Sequence, residues 1–155
     1  MRWLPHVTVA TIVEDQGRFL FVEEIASGAQ VLNQPAGHLE ADESLIEAAL
    51  RETLEETGWD VEITALTGIY LYTAPSNGVT YQRVCFAARP LKHDPQRPLD
   101  DGIIGPKWLT REELQACQGQ WRSHLVARCV DDYLSGERYP LGLIKDGGVP
   151  VASPA

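Results

Sequence analysis

The sequence predicts an α/β fold in which helices cover both faces of a mixed central sheet, giving three layers, α/β/α. Pairs of strand-like segments lie before and after one well-marked helix, and further helical segments follow towards the C-terminus. With 155 residues, of which 44% are hydrophobic, the chain is long enough to bury one continuous core. We therefore predict one domain over residues 1–146 and a flexible tail over residues 147–155.

The strands are predicted from segments rich in β-branched and aromatic residues. Residues 5–14 and 18–24 flank the turn sequence EDQG and predict a first hairpin. Residues 25–36 are predicted to form a loop with a short extended segment. Residues 60–74 and 79–89 flank the turn sequence PSNG and predict a second hairpin.

The best-defined helix is predicted between the two hairpins. Asp42 or Ser44 is a suitable N-cap, the helical pattern continues to about Thr57, and Gly58 is a suitable stop. This helix separates the two pairs of strands in the sequence, so the sheet is built from segments on both sides of it.

The C-terminal part is predicted to contain a linker and two helices. Residues 90–106 are Pro-rich and predict a linker. Thr110 and Glu113 form a capping-box pattern at the start of the first helix. The second helix is predicted at about 121–135, ending at Gly136.

Charge and cysteine content exclude several classes of function. The chain has 22 acidic and 13 basic residues, which argues against a nucleic-acid-binding surface, whereas a small anionic ligand can bind if a metal ion supplies positive charge. Cys85, Cys117 and Cys129 are widely spaced and predict neither a disulfide framework nor a zinc site. The N-terminal apolar stretch is too interrupted for a signal peptide or a membrane span, so we expect a cytoplasmic protein without a membrane partner.

Three glutamates converge near the end of the predicted central helix. Glu52, Glu55 and Glu56 have i, i+3 and i+4 spacing, which places them on one side of a helix. Acidic groups at a helix C-terminus oppose the macrodipole, so this cluster is costly unless a cation offsets it. Carboxylates of this kind suit Mg²⁺, with Mn²⁺ as an alternative.

The opposite side of this helix is predicted to be the buried one. It carries Ile46, Leu50 and Leu54, together with Thr53 and Thr57.

The spacing around the glutamates resembles the box motif of the Nudix hydrolase family. The pattern is Gly37, five residues, Glu43, seven residues, Arg51-Glu52, two residues, Glu55-Glu56, one residue, then Gly58-Trp59. The flanking stretches PHVTVA, VEE, NQPAGHLEADE and RYPL resemble one bacterial subgroup of that family. Thr53 stands where an aliphatic residue is usual, and we expect a packing adjustment there without loss of activity.

The resemblance implies a Nudix fold and a metal site. Carried over by position, it makes Glu52 and Glu56 the principal metal ligands, and Glu55 a ligand of an additional ion or of its water shell. The backbone carbonyl of Ala36 supplies a further ligand.

The remaining box residues are implied to orient the ligands. Arg51 orients the glutamates by ion pairing, and Glu43 holds Arg51. Gly37 and Gly58 permit loop and helix-end conformations that other residues resist.

The implied chemistry is metal-dependent hydrolysis of phosphoanhydride bonds in nucleoside tri- and diphosphates and related small pyrophosphates, among them hydroxymethylpyrimidine pyrophosphate. Water activated by the metal attacks phosphorus. A general base is also needed, and Asp100 and Asp101 are candidates on the Pro-rich linker, although an exposed turn explains the pair equally well.

Substrate contacts are predicted outside the box. Arg83 is a basic residue within a predicted strand and is a candidate phosphate contact. The other candidates for lining the substrate pocket are Glu23, Glu24, Asn33 and Gln34. His38 is interpreted as a loop residue, and His6, His93 and His124 are interpreted as carrying no chemistry.

Two further functions remain open. An ADP-ribose or dinucleotide pyrophosphatase is suggested by Pro75, sixteen residues after the box, although Pro75 also begins the PSNG turn. A catalytically silent, nucleotide-sensing Nudix domain is disfavoured because the box keeps all three acids and Arg51. We expect a small nucleotide or pyrophosphate as the ligand, no stable nucleic-acid partner, and a monomer or homodimer.

Overall fold

The computed structural model describes residues 1–148 and contains a seven-stranded mixed sheet covered by helices on both faces, which confirms the predicted α/β class. The strands are β1 (His6–Asp15), β2 (Arg18–Ala26), β3 (Ala29–Asn33), β4 (Ala36–His38), β5 (Trp59–Thr73), β6 (Thr80–His93) and β7 (Ile103–Thr110). The helices are α1 (Leu45–Thr57), α2 (Arg111–Ala116) and α3 (Leu125–Leu134), with short 3₁₀ turns at Gln118–Gln120 and Leu141–Leu143. Residues 149–155 of the predicted tail lie outside the described residues.

Strand β1 lies at the centre of the sheet. The main order is β3-β2-β1-β6-β5, with β4 paired to β1 and β7 paired to β2. Strand β1 runs parallel to β6 and antiparallel to β2 and β4. Pairing β1 with both β4 and β6 brings the segment just before α1 next to the second hairpin.

The two faces of the sheet bury separate clusters of side chains. Alternation along β1 places Val9 and Val13 in the cluster that includes α1, and Ala10 and Ile12 in the cluster that includes α2 and α3. The sheet is therefore the middle layer of three, as the sequence predicts.

Helix α1 begins and ends where its capping residues require. Ser44, rather than Asp42, is the N-cap, and it forms a reciprocal capping box with Glu47. Gly58 ends the helix with φ of 76°, a left-handed conformation that a residue with a Cβ resists.

The predicted buried side of α1 is only partly correct. Thr53 and Thr57 are buried as predicted, but Ile46, Leu50 and Leu54 are only half-buried. The helix packs most closely through small and acidic side chains, and its fully buried residues are Ala48, Ala49, Glu52, Thr53, Glu56 and Thr57. Alanines let the helix approach the sheet closely, which carries the acids inward with them.

Other differences from the prediction arise from strand pairing. The predicted loop at 25–36 contains the end of β2 and the strands β3 and β4, because β3 forms a tight local hairpin with β2 and β4 pairs with the distant strand β1. The predicted linker at 90–106 shortens to the segment between β6 and β7. The last helix starts at Leu125 rather than near 121, because the N–H of Arg122 donates to the carbonyl of Leu32 instead.

Thr53 has a specific partner in the core. The hydroxyl of Thr53 donates to the carbonyl of Ala49 at 2.8 Å, and its Oγ1 lies 2.9 Å from Oγ1 of Thr11 on β1. Both threonines are fully buried. The hydroxyl of the box residue Thr53 is thus paired with the hydroxyl of Thr11 on the facing strand. This hydrogen bond joins α1 to β1.

We expect replacement of Thr53 by Val to lower the free energy of unfolding by about 1–3 kcal/mol, because it leaves the buried Thr11 hydroxyl without its partner. The double variant Thr11→Val/Thr53→Val should recover most of this loss, since both polar groups are then replaced by apolar groups of the same shape. Urea unfolding of the two single variants and the double variant measures the coupling. Strictly additive losses would contradict the pairing.

In residues 1–148, none of the helices is both long and apolar enough to cross a membrane. Cys85, Cys117 and Cys129 are free thiols, the first and last buried in the sheet–helix core.

Candidate active site

Arg51 is the centre of the charged network on α1. Its guanidinium donates two hydrogen bonds to the carboxylate of Glu43, at 2.7 and 2.9 Å. It also donates to Glu52 at 2.7 Å, to Glu55 at 3.2 Å and to the carbonyl of His38 at 3.1 Å. A forked, planar cation can hold several acceptors at once, so Arg51 fixes the positions of two helix glutamates relative to strand β4.

Glu52 and Glu56 reach strand β4 from α1. The carboxylate of Glu52 lies directly against Gly37, and a Cβ built at Gly37 would overlap its carboxyl atoms. The N–H of Ala36 donates to Oε1 of Glu56 at 2.9 Å. The glycine in β4 therefore makes room for the carboxylate of Glu52, while the backbone of the preceding residue holds Glu56.

Burial removes much of the water from around the carboxyl groups of Glu52 and Glu56. It raises the pKa of Glu56 to about 9, since the nearby carboxylates of Glu52, Glu24 and Asp100 add to the desolvation and only the Ala36 N–H opposes it. Burial also raises the pKa of Glu52, even though Arg51 acts in the other direction. A cation bound here would displace the proton of Glu56 and hold both groups ionised.

The linker contributes Asp100 to this cluster. Its N–H donates to the carbonyl of Glu55 at 3.2 Å, and its carboxylate lies close enough to that of Glu55 to raise the pKa of Glu55, after the larger effect of burial. Asp101 is exposed and follows Asp100 in the turn. The structure thus brings Asp100 to the glutamates and records no contact of Asp101 with them.

A cleft of about 730 Å³ opens beside the acids and is large enough for a nucleotide-sized ligand. Its lining includes Glu52 and Glu56 of α1 and residues of the turn between β5 and β6. Predicted site residues that line it are Glu24, Asn33, Ala36, Gly37, Glu52, Glu56 and Arg83.

Arg83 is a buried cation that has no carboxylate partner among the described residues. Its guanidinium donates to Oε1 of Gln34 at 2.9 Å and to Oδ1 of Asn33 at 3.1 Å, and it lies 3.8 Å from Sγ of Cys129. Gln34 in turn donates to the carbonyl of Val126 at 2.6 Å, behind the cleft wall. The amides therefore position Arg83 without neutralising it, and its charge is available to an anion in the cleft.

Glu23 and Glu24, the two predicted substrate contacts on β2, point in different directions. Glu24 lines the cleft and pairs with Arg122 at 2.6 Å. Glu23 is directed elsewhere, because it accepts a hydrogen bond from Gln30 at 2.7 Å and faces Lys107 on β7. Glu23 is therefore not among the residues that line the cleft, since successive residues of a strand point to opposite faces.

Several lining residues were not predicted from the sequence. His38 is the last residue of β4 rather than a loop residue, and it lines the cleft together with Tyr72, Tyr81 and Arg122. Tyr81 is two residues before Arg83, so strand alternation already places both on one face. Nothing local in the sequence indicates that Arg122 or His38 would meet them.

The site fits a divalent ion by its donor chemistry rather than by a finished coordination shell. Its acids are oxygen donors in excess of the nearby positive charge, which suits Mg²⁺ or Mn²⁺. In the part of the chain that the structure describes, no group of three or more His, Cys, Asp or Glu side chains is arranged to hold a metal ion. Arg51 occupies oxygens of Glu52 and Glu55, and the contact recorded for Ala36 is made by its N–H.

Comparison with known proteins identifies the family. A model described as the NUDIX domain matches residues 3–129, which is most of the chain. The chain therefore belongs to the Nudix hydrolase family and is a Nudix pyrophosphohydrolase. Enzymes of this family generally use a divalent metal ion and act on small nucleotide substrates.

The similarity extends to particular relatives. Phosphatase NudJ of Escherichia coli K12 is 44% identical over 147 residues, which cover 94% of this chain and 94% of the relative. The values are the same for Phosphatase NudJ of Shigella flexneri. A solved NUDIX hydrolase from Nitrosomonas europaea is 47% identical and superposes with a TM-score of 0.91, covering 94% of this chain and 100% of that one. The resemblance to the NudJ subgroup therefore covers nearly the whole chain.

Proposed function

We propose that the protein hydrolyses phosphoanhydride bonds of nucleoside tri- and diphosphates, and of related small pyrophosphates such as hydroxymethylpyrimidine pyrophosphate, with Mg²⁺ or Mn²⁺. The observation that supports this most is the cleft itself, which is lined both by the buried acids Glu52 and Glu56 and by the guanidinium of Arg83, a cation with no carboxylate partner among the described residues. Such a cleft suits an anionic chain bridged to the acids by a cation. The catalytic unit would be the single domain of residues 1–146.

Each box residue has a separate task in this proposal. Glu52 and Glu56 hold the metal ion, Glu55 holds a further ion or its water shell, and the carbonyl of Ala36 completes the set. Arg51 and Glu43 orient the glutamates. The bound ion would activate water and neutralise charge on the phosphate oxygens. Arg83, placed by Asn33 and Gln34, holds a phosphate within the cleft.

Asp100 is the candidate general base. Its position beside Glu55 supports this role, because a base must lie near the water that attacks phosphorus. No comparable contact supports Asp101.

We expect Asp100→Asn to lower kcat by about 10²-fold or more, which is the usual range for a general base. Asp101→Asn is the matched control, since it makes the same change at the next position of the same turn. Initial rates at saturating substrate measure the difference. An equal loss of kcat in the two variants would mean that the effect comes from disturbing the linker. No loss of kcat in either variant would show that Asp100 is not the base.

The overall proposal is tested by a substrate panel. We expect purified protein with Mg²⁺ to release phosphate or pyrophosphate from nucleoside tri- and diphosphates and from hydroxymethylpyrimidine pyrophosphate, and to lose this activity when EDTA removes the metal. Phosphate and pyrophosphate are measured separately. Absence of turnover on every member, combined with tight nucleotide binding by calorimetry, would favour the silent, nucleotide-sensing alternative.

The ADP-ribose alternative has one structural observation in its favour. Pro75 lines the cleft in the turn between β5 and β6, so it is placed to contact a substrate. Competition between GTP and ADP-ribose in one assay separates the two functions, with preferential cleavage of ADP-ribose supporting the alternative. A cytoplasmic location, the absence of a stable nucleic-acid partner and a monomeric or homodimeric state stay predictions.

A further inference from the structure

The floor of the cleft is a strip of sheet on which polar and aromatic residues lie in two rows. In the inner row, Arg83 of β6 is aligned with Thr8 of β1 and Tyr70 of β5. In the outer row, two residues further along each strand, Tyr81 of β6 is aligned with His6 of β1 and Tyr72 of β5. We call the outer set, Tyr72, Tyr81 and His6, the aromatic row. Residues two apart on a strand share a face, so both rows lie on one face of the sheet, and four of their members, Thr8, Arg83, Tyr72 and Tyr81, line the cleft.

The inner row is suited to an anion. Arg83 is only 7% exposed, and its described hydrogen bonds go to the amide oxygens of Gln34 and Asn33 and to Sγ of Cys129, so none of them goes to a carboxylate. A buried guanidinium without a carboxylate partner retains an unfavourable self-energy that an entering anion relieves. In the proposed reaction this anion is a phosphate of the substrate.

The outer row is suited to a flat ring. Tyr81 packs edge-on against His6, with ring centroids 5.7 Å apart, and against His38 at 6.1 Å. Nδ1 of His6 lies 3.0 Å from Nε2 of His38, which ties these two rings together. Asn77 donates to the hydroxyl of Tyr81 at 3.1 Å and so fixes the ring from the adjacent turn.

These rings are not explained by core packing alone. Tyr72, Tyr81 and His38 line the cleft, and Tyr81 is only partly buried. One row further in, Cys85 and Ala10 are aligned and almost fully buried, and Tyr70 at the β5 end of the inner row also belongs to this core. Going outward along β6, the floor therefore changes from apolar core to buried cation to aromatic rings.

The order of the rows matches the order of groups in one class of ligand. Two residues along a strand span about 6.6 Å. This distance leaves space for the part of the ligand that connects a phosphate at Arg83 to a ring at Tyr81. We propose that the aromatic row, with His38, binds the planar ring that the substrate carries beyond its phosphates, and that Tyr81 is the main contact. The inference rests on the proposed function, since it assigns a specificity subsite to that reaction.

The ring has two chemical sources, a nucleobase carried on ribose or a pyrimidine carried on a methylene group. Both present a π-face that aromatic side chains bind with little dependence on sequence or substituents. Comparing a nucleoside triphosphate with hydroxymethylpyrimidine pyrophosphate in the same variants shows whether ribose or a methylene group better fits the distance between Arg83 and Tyr81.

The first test is a KM and kcat comparison of Tyr81→Ala and Tyr81→Phe. We expect Tyr81→Ala to raise KM for a ring-bearing substrate roughly 5-fold to 100-fold, the range for loss of one stacking contact, with kcat little changed. Tyr81→Phe keeps the ring and loses only the hydroxyl that Asn77 contacts, so it should recover most of the KM increase that Tyr81→Ala causes. KM for inorganic tripolyphosphate, which has phosphates but no ring, should change less than about 2-fold in either variant.

A second test does not depend on turnover. Calorimetry measures binding of a nucleoside 5′-monophosphate and of ribose 5-phosphate. The second ligand has a hydroxyl group in place of the nucleobase. We expect Tyr81→Ala to weaken the first by the same factor as KM and to leave the second unchanged.

The outcomes separate the inference from the proposed function. Unmodified protein that binds the nucleoside monophosphate through Tyr81 but hydrolyses nothing would overturn the proposed function and keep the ring site. Active protein in which Tyr81→Ala leaves KM unchanged, or raises it equally for the ring-bearing substrate and tripolyphosphate, would overturn the ring site. Calorimetry in which both ligands weaken equally would also overturn it.

Discussion

Replacement of Glu56 by Gln is expected to reduce phosphate or pyrophosphate release with Mg²⁺ by at least about 10³-fold, because the ion supplies several kcal/mol of charge stabilisation in such reactions. Gln keeps the oxygen that accepts the Ala36 N–H, so the contact between α1 and β4 survives. It cannot become a carboxylate, so it lacks the charge that holds the ion. The change therefore removes a ligand with little disturbance of the fold.

The folded state provides the control for this variant. Burial raises the pKa of Glu56 to about 9, so the metal-free protein already carries a neutral group at this position at pH 7. We expect the free energy of unfolding without metal to change by less than about 1 kcal/mol. Glu112→Gln, an exposed change in the first turn of α2, should leave both activity and stability unchanged. Undiminished turnover in Glu56→Gln would contradict the assignment of Glu56 as a metal ligand.

Gly37→Ala is the second substitution with a large expected effect. A Cβ at this position would overlap the carboxylate of Glu52, so either the side chain or strand β4 must move. We expect activity to fall about 10²-fold, the scale for a misplacement of about 1 Å in a catalytic group. Overpacking of this kind also destabilises by about 1–3 kcal/mol, which thermal or urea unfolding measures.

Gly105→Ala is the matched control for Gly37→Ala. Gly105 lies in β7, and a Cβ there meets no atom within 4 Å. It should leave activity and unfolding unchanged. If Gly37→Ala also retained full activity, the close fit between Glu52 and β4 would have no part in positioning the ligands.

The parts of the site that were predictable from sequence are encoded locally. The ends of α1 follow from Ser44 and Gly58, and the convergence of the glutamates follows from helical spacing. The box motif adds the family and, with it, the fold. Contacts of Arg51 with Glu52 and Glu55 lie within one turn of the same helix, so they too are within reach of sequence reasoning.

The parts that were missed depend on which strands meet. Strands β3 and β4 are short, and pairing with β2 and β1 stabilises them more than their own propensities do. The buried side of α1 was misjudged because hydrophobicity favours Leu50 and Leu54, whereas close packing selected Ala48 and Ala49. Side-chain size at the helix–sheet contact outweighed hydrophobicity there.

Residues of the cleft floor illustrate the same limit. Alternation puts Tyr81 and Arg83 on one face of β6, but only the parallel register with β1 places Thr8 and His6 beside them. The position of Arg122 depends on its hydrogen bond to Leu32 in β3, a contact between residues far apart in the chain.

The parallel pairing of β1 with β6 also sets the order of events in folding. During synthesis β1 leaves the ribosome before its partner residues on β6. These residues, Tyr81–Ala88, emerge only after all of α1 and β5. Pairings of such long sequence separation form slowly, because the intervening loop must be closed before any contact rewards it. A nascent chain that stops before β6 therefore contains the acids of α1 but lacks the β6 residues that line the cleft, Tyr81 and Arg83. Catalytic competence should appear late and in one step, together with closure of the sheet.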